Sequence, residues 1–443
     1  MDGINYPPFS KQQLRVQSYY KIVFNKEGFP IKDGTQKSDI NPIYGIYVIK
    51  DWIKEYKRTN DTVYIDAAVK VADIAIRMME KVNDCYFFEY KKGEYISRGY
   101  KDHISALTQS YYAIELMNLY KIVKEERFQE AANNCFKSLL IPVKQNGVLY
   151  EWGDKKVSIE EFPNEPNDFI LNGWQTSLLN VLKYYKLSKN PKAKELFDRS
   201  ASSLSEVLHL FDCEEYKNSR YALTGFTYVK LMFSNKKKNA IEVSKVEMLY
   251  PGHETVEVDL NVDKKERNRY KNYAFDNDMN TLDTKTFIKK NQLRLNVLTS
   301  RITYPQTNSL SFSCKCDTDC TMKLYVYKGV YNPLSSSQVN CNWEEVNEFK
   351  LLSGENHVEA SLDFKGIGLT AYPTNFLKLI RGNNYNVYHY IHILNLEQLY
   401  DETGYEVFRD YAVKWKQYTE DWPKMDLYKG LKHLRHTEDK EGV

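Results

Sequence analysis

The spacing of apolar residues changes period twice along this chain, and that change limits its fold more than any single motif. From about residue 42 to 234 apolar positions recur at helical spacing, from about 240 to 384 they alternate, and from about 385 the helical spacing returns. "YGIYVIKDWIKEYKRTND" carries Tyr44, Tyr47, Val48, Trp52 and Tyr56 on one face and stops at Asn60-Asp61. "TVYIDAAVKVADIAIRMMEKV" then begins a partner helix with Ile65, Ala68, Val69, Ala72 and Ile76. The pattern recurs in "HISALTQSYYAIELMNLYKIV", "RFQEAANNCFKSLL", "FILNGWQTSLLNVLKYYKL" and "KAKELFDRSASSLSEVLHLF". Long helices joined by short polar turns predict helical hairpins closing into an (α/α) toroid, with a helical solenoid as the alternative.

After "SNKKKNA" (residues 234–240) come "VSKVEML", "TVEVDLNV", "QLRLNVL", "SLSFSCKC", "TMKLYVYKG" and "HVEASLDF". Period two with regularly spaced turn residues predicts an antiparallel β-sandwich. The expected fold class is therefore multidomain α and β: a toroid interrupted by a β-sandwich insertion. Its expected segments are residues 1–239, 240–384 and 385–443. Helices before and after the insertion should then pack together.

Composition narrows the function. A net charge of +3 with mixed signs leaves no polybasic footprint for nucleic acid. No run of eighteen apolar residues is present, so no membrane span is expected. The start "MDGINYPPFSKQQLRV" lacks a basic region followed by an apolar one, which predicts a cytoplasmic protein if Met1 is the native start. Seven scattered cysteines suit reduced thiols. The chain holds 36 Tyr, 20 Phe and 6 Trp, which serve either to stack on sugars or as part of a bias that also enriches Lys and Asn.

Within the helical part, "EEFPNEPNDFILNGWQTSLLNV" (residues 160–181) crowds Glu160, Glu161, Glu165 and Asp168 between prolines before a helix. One reading is capping, with Asn167 or Asp168 supplying the side-chain oxygen and the acids facing the positive end of the dipole. The other is a stiff acidic wall of a carbohydrate site. Trp174 and Trp415 read as core.

In the β region, Asp276, Asp278 and Asn280 alternate, a pattern of oxygen donors suited to Ca2+. An EF-hand is excluded, because its sixth and twelfth positions would be Thr281 and Phe287 rather than Gly and Glu. The stretch "AFDNDMNTLDTKTF", with the later "NWEEVNEFKLLSGENHVEASL", resembles a discoidin-type (F5/8 type C) sandwich, which implies a carbohydrate-binding or spacing module holding Ca2+. Cys314 and Cys316 have only one residue between them and are expected to alternate across their strand. That spacing is short of structural zinc sites, so with Cys320 they are expected as free thiols. No P-loop, dinucleotide-binding glycine turn, HExxH or G-x-S-x-G motif occurs.

Four ordered blocks of the helical part resemble the C-terminal catalytic domain of D-glucuronyl C5-epimerases. They are Ser105, Ala106 and Gln109; then Glu160, Glu161, Pro163, Phe169, Leu171, Asn172 and Gly173; then Tyr221 after "LFD"; and last Tyr388, His389, His392 and Ile393 with Trp415, Lys416 and Tyr418. The resemblance covers roughly residues 40–235 and 385–420. It implies inversion of D-glucuronyl to L-iduronyl residues in a polysaccharide of heparan sulfate-like type or its precursor, without a catalytic cofactor. It assigns proton transfer to Glu161, Tyr221 and Tyr388. It assigns substrate contacts to Glu160, Gln109, Asn172, Arg220, His389 and His392, the two histidines reading equally as buried packing residues. A uronate-containing oligosaccharide is the implied partner, and a homodimer is allowed for.

The chemistry suits these residue types. C5 of a hexuronate lies α to a carboxylate, so inversion needs a base on one face and an acid on the other. Charge moves onto the carboxylate, where cations or donors must be aimed. Tyrosine acts as a base only when nearby charge lowers its pKa of about 10. Two positions depart from the family: Phe162 stands where a tyrosine is expected, and Thr224 where an arginine is. Arg220, Arg98 or Arg381 are the substitutes for that cation. A polysaccharide lyase or uronyl hydrolase on the same toroid, and a non-catalytic glycan-binding protein, are the rival readings.

Overall fold

The computed structural model describes residues 6–10, 21–34, 40–91, 102–164, 167–234, 241–252, 255–258, 286–287, 292–302, 308–329, 331–334, 341–362, 373–380, 382–429 and 431. The chain mixes helices and sheets and divides into two compact units. One comprises Met1–His209, Tyr390–Gln417 and Leu434–Val443; the other comprises Leu210–His389 and Tyr418–His433.

The first unit is built from helical pairs: α1 (Ile43–Thr59) with α2 (Thr62–Met78), α3 (Ala106–Val123) with α4 (Glu126–Ser138), and α5 (Leu171–Ser188) with α6 (Pro191–Val207). A later pair, α7 (Val387–Thr403) and α8 (Glu406–Asp421), lies after the sheets. Every pair is joined by two residues. The first of the two is left-handed, at Asn60 (φ 56°), Lys124 (φ 60°), Lys189 (φ 61°) and Gly404 (φ 68°). In each case its N–H returns to a tyrosine carbonyl one turn back: Tyr56, Tyr120, Tyr185 or Tyr400. The second residue starts the next helix, and Asp61 and Asn190 cap it by accepting from Val63 N and Lys192 N, each at 3.1 Å.

Helix α3 packs between α1 and α5 as well as on its partner α4. It is buried on nearly every side, polar Thr108, Gln109, Ser110 and Glu115 included. After the sheets, α7 is tied to α5 by Asn395 Nδ2 donating to Thr176 Oγ1 (3.1 Å) and by Lys186 with Glu402 (2.6 Å).

The second unit holds two antiparallel sheets. One is ordered Gln292–Ser300, Thr224–Ser234, Cys320–Gly329, Cys341–Leu351. The other is ordered Val256–Glu257, Ile241–Leu249, Asn308–Cys316, Gly354–Leu362, with Thr286–Phe287 also paired to Ile241–Leu249. Alternate residues of both sheets, such as Val229, Leu231 and Phe233 on one and Leu310, Phe312, Val358 and Ala360 on the other, form one buried cluster.

Two expectations need correction. The first long strand begins at Thr224, before the boundary drawn at residue 240, because the charged run 234–240 separates two strands rather than two architectures. Cys314 and Cys316 do not alternate across their strand but share its inner face, both 1% exposed, since residues two apart in a strand point the same way. Cys85, Cys135, Cys213, Cys314, Cys316 and Cys320 are free thiols. Asp276, Asp278 and Asn280 lie outside the described residues.

Candidate functional site

In the first unit, strands Leu149–Trp152 and Lys156–Ile159 form a hairpin that delivers the two acids. Glu160 N donates to Val148 O and Ala106 N, at the start of α3, donates to Glu160 O, both at 2.9 Å. So held, Glu160 is 1% exposed, and Ser158 Oγ donates to its Oε1. Burial pushes its carboxyl up to about 8, against the pull of bonds from Ser158 and Asn167. Near neutral pH it is a protonated acid inside the protein.

Glu161 differs. It is half-buried against the first turn of α5, an approach that Gly173 permits: a Cβ at that position would lie 2.7 Å from Glu161 Cβ. Tyr90 and Tyr111 are near enough to feel its charge, and burial first, then Glu115 and Glu161, push Tyr111 up to about 12. Phe162 packs on His103 (5.3 Å between ring centroids), which stacks on Tyr90 (5.4 Å).

The acids do not cap α5. Its capping position is Ile170, which makes no side-chain bond. Asp168 accepts from Asn164 Nδ2 at 2.8 Å instead. The cause is Phe169, a buried residue in the left-handed region (φ 52°) whose ring meets Tyr150 and Trp152 edge-on at 5.4 and 5.1 Å. Such a backbone costs about 1–2 kcal/mol and persists because the aromatic cluster holds the ring.

In the second unit, Tyr221 and Tyr388 meet edge to face with ring centroids 4.8 Å apart. A buried polar network holds both segments. Asn218 Oδ1 accepts from Thr374 Oγ1 (2.7 Å), from Asn386 Nδ2 (3.3 Å) and from Ser219 N (2.9 Å). Asn386 Oδ1 in turn accepts from His389 N (3.2 Å), capping α7 at the turn that carries Tyr388. His389, fully buried and tilted on Trp422 at 5.0 Å, accepts through Nδ1 from Ser219 N at 3.1 Å, which leaves the ring proton on Nε2.

The expected site residues thus separate by role. Glu161 belongs to the first unit; Tyr221 and Tyr388 belong to the second, where they touch. Gln109 was expected to contact substrate, but both its amide atoms are used by the protein: Nε2 donates to Tyr86 O (2.7 Å) and Ser138 Oγ (3.3 Å), and Oε1 accepts from Phe88 N (3.1 Å). Glu160 and His389 are buried, Glu160 bonded through Oε1 to Ser158 and His389 through Nδ1 to Ser219. His392 is also fully buried, against Trp415 at 6.1 Å. Asn172 stands at the start of α5, and its Oδ1 has no hydrogen-bond partner among the described residues. Gln175 and Ser177, one turn on, share that property, and nothing in their sequence context singled them out. Arg220 adjoins Tyr221 with its backbone bridged to Pro373. Arg98 and Arg381 lie outside the described residues.

The family described as D-glucuronyl C5-epimerase C-terminus matches residues 82–271. A D-glucuronyl C5-epimerase of Caenorhabditis elegans is 27% identical over 120 residues, which are 24% of this chain and only 19% of that protein's length. Among solved structures, an alpha-1,6-mannanase from Salegentibacter sp. HEL1_6 shares 15% identity over 48% of this chain and 54% of that one, with a TM-score of 0.33. Cellobiose 2-epimerase from Bacillus thermoamylovorans B4167 shares 11% identity over 48% and 58%, with a TM-score of 0.32. Likenesses at those scores carry no argument. Residues 82–271, which contain both acids of the loop and Tyr221, are therefore similar in sequence to the D-glucuronyl C5-epimerase C-terminus.

Proposed function

We propose that this chain is a carbohydrate C5-epimerase that inverts D-glucuronyl to L-iduronyl residues in a polysaccharide or its precursor. The observation that carries this reading is the family match over residues 82–271, a span that includes Glu161 and Tyr221. The contact of Tyr221 with Tyr388 supports it from the second unit. Tyr221 and Tyr388 are the proton-transferring groups in this reading. A base takes the C5 proton, negative charge spreads onto the carboxylate, and an acid returns a proton from the other face. The sequential packing of α1, α3 and α5, each with its own partner helix, supports reading the helical unit as part of an (α/α) toroid. The two sheets sharing one buried cluster support reading them as a β-sandwich.

The test is proton exchange. The protein is incubated with unsulfated glucuronyl polymer in heavy water, and C5 deuteration and iduronate signals are followed by NMR. Deuterium at C5 without unsaturated ends is the expected result, with Tyr221→Phe and Tyr388→Phe each slowing it by about 10²-fold or more. Unsaturated ends would identify a lyase. Binding without exchange, unchanged in both variants, would identify a non-catalytic glycan-binding protein, a reading favoured by Phe162 being buried on His103 without a hydroxyl.

A further inference from the structure

Resting on that reading, we infer that Arg301, together with Arg220, is the seat for the substrate's carboxylate, and that the cation expected at Thr224 has moved to the neighbouring strand.

The register places it there. Strand Gln292–Ser300 runs antiparallel to Thr224–Ser234, with Thr224 opposite Ser300 at the end of the ladder. Thr224 Oγ1 donates to Ser300 Oγ at 2.8 Å, so the side chain at the expected cation position is engaged across the pair. One residue further, Arg301 N donates to Leu223 O at 3.0 Å. Arg301 is thereby fixed beside residues 221–223, the segment that carries Tyr221.

Its electrostatics are those of a cation waiting for an anion. The Arg301 guanidinium is half-buried, and burial first, then repulsion by Arg220, lower its pKa to about 10. Its Nε has no hydrogen-bond partner, and no carboxylate pairs with it among the described residues. The other group near it among the described residues is the Cys213 thiol, which burial pushes up, so that it is no counter-ion. A half-buried cation without a carboxylate partner is unfavourable unless an anion joins it. The planar fork of arginine matches a carboxylate through two parallel hydrogen bonds. Because negative charge grows on that carboxylate as the C5 proton leaves, the pair would hold the transition state more tightly than the ground state.

The full chain is tested with a glucuronate-containing oligosaccharide and its carboxyl-reduced counterpart. The wild type should bind the acid at least about tenfold more tightly than the reduced sugar, and Arg301→Gln should abolish that preference while leaving affinity for the reduced sugar unchanged. In C5 exchange, Arg301→Gln should lower kcat by about 10²-fold with less effect on KM, and Arg301→Lys should restore part of it. The thermal midpoint of each variant controls for folding, and wild-type discrimination between the two sugars needs no variant. Equal binding of both sugars by the wild type overturns the seat. So does an Arg301→Gln protein that exchanges and discriminates like wild type. If the wild type discriminates and Arg301→Gln does not, yet neither exchanges at C5, the seat stands and the epimerase reading falls.

Discussion

Glu160 and Glu161 are adjacent in sequence and differ in burial. Glu160 is enclosed between hairpin and helix, and burial raises its carboxyl to about 8, whereas Glu161 stands half-buried against Gly173, near Tyr90 and Tyr111. The consequence for stability has a definite sign. Below about pH 4.5 the Glu160 carboxyl is protonated in both folded and unfolded chains; between about 4.5 and 8 only the folded chain keeps the proton. Stability from this group therefore falls as pH rises through that window, by up to about 1.4 kcal/mol per pH unit. Glu160→Gln should flatten the fall, so that its melting temperature matches wild type near pH 4.5 and exceeds it above pH 8. Parallel curves for the two proteins across this range would show that the carboxyl is not buried protonated.

At the scale of elements, the four helical joints repeat one device: a left-handed residue, then one that opens the next helix, extended at Asp61, Glu125 and Asn190. The sequence offers Asn60 and Gly404 where that conformation is easy, but Lys124 and Lys189 where it is not. Lys124→Gly and Lys189→Gly should each stabilise the protein by about 0.5–1 kcal/mol, and Gly404→Ala should destabilise it by about 1 kcal/mol. Urea unfolding at constant slope measures all three; a loss of stability in the lysine variants would contradict the account. Helix limits were legible because their signals are local: Asn60-Asp61 stops one helix and caps the next within two residues. The start of α5 was not, because Phe169 takes a conformation its own sequence disfavours and only the packing of Tyr150 and Trp152 supports.

For the whole molecule, the buried cluster of the sheets is drawn entirely from the second unit, and the helical pairs pack around residues of the first. Two cores predict departure from a single unfolding transition. Phe128→Ala in α4 and Phe312→Ala in the sheets each remove a fully buried ring and should cost about 3–5 kcal/mol. Calorimetry should show each substitution lowering a different transition. One transition lowered equally by both would mean that the units unfold together.

The sequence by itself determined most helices and the later strands, where the helical pairs turn, and which ordered blocks resemble a uronyl epimerase. Those properties live in the spacing of neighbouring residues, so they survive without a structure. The tertiary structure decided that burial pushes the Glu160 carboxyl up, that the Gln109 amide bonds Tyr86, Phe88 and Ser138, that Tyr221 meets Tyr388, and that Arg301 N bonds Leu223 O beside Tyr221. Each of these depends on burial or on a contact between residues far apart in the chain. Neither the dielectric around a group nor its distant partner is encoded in its own neighbours.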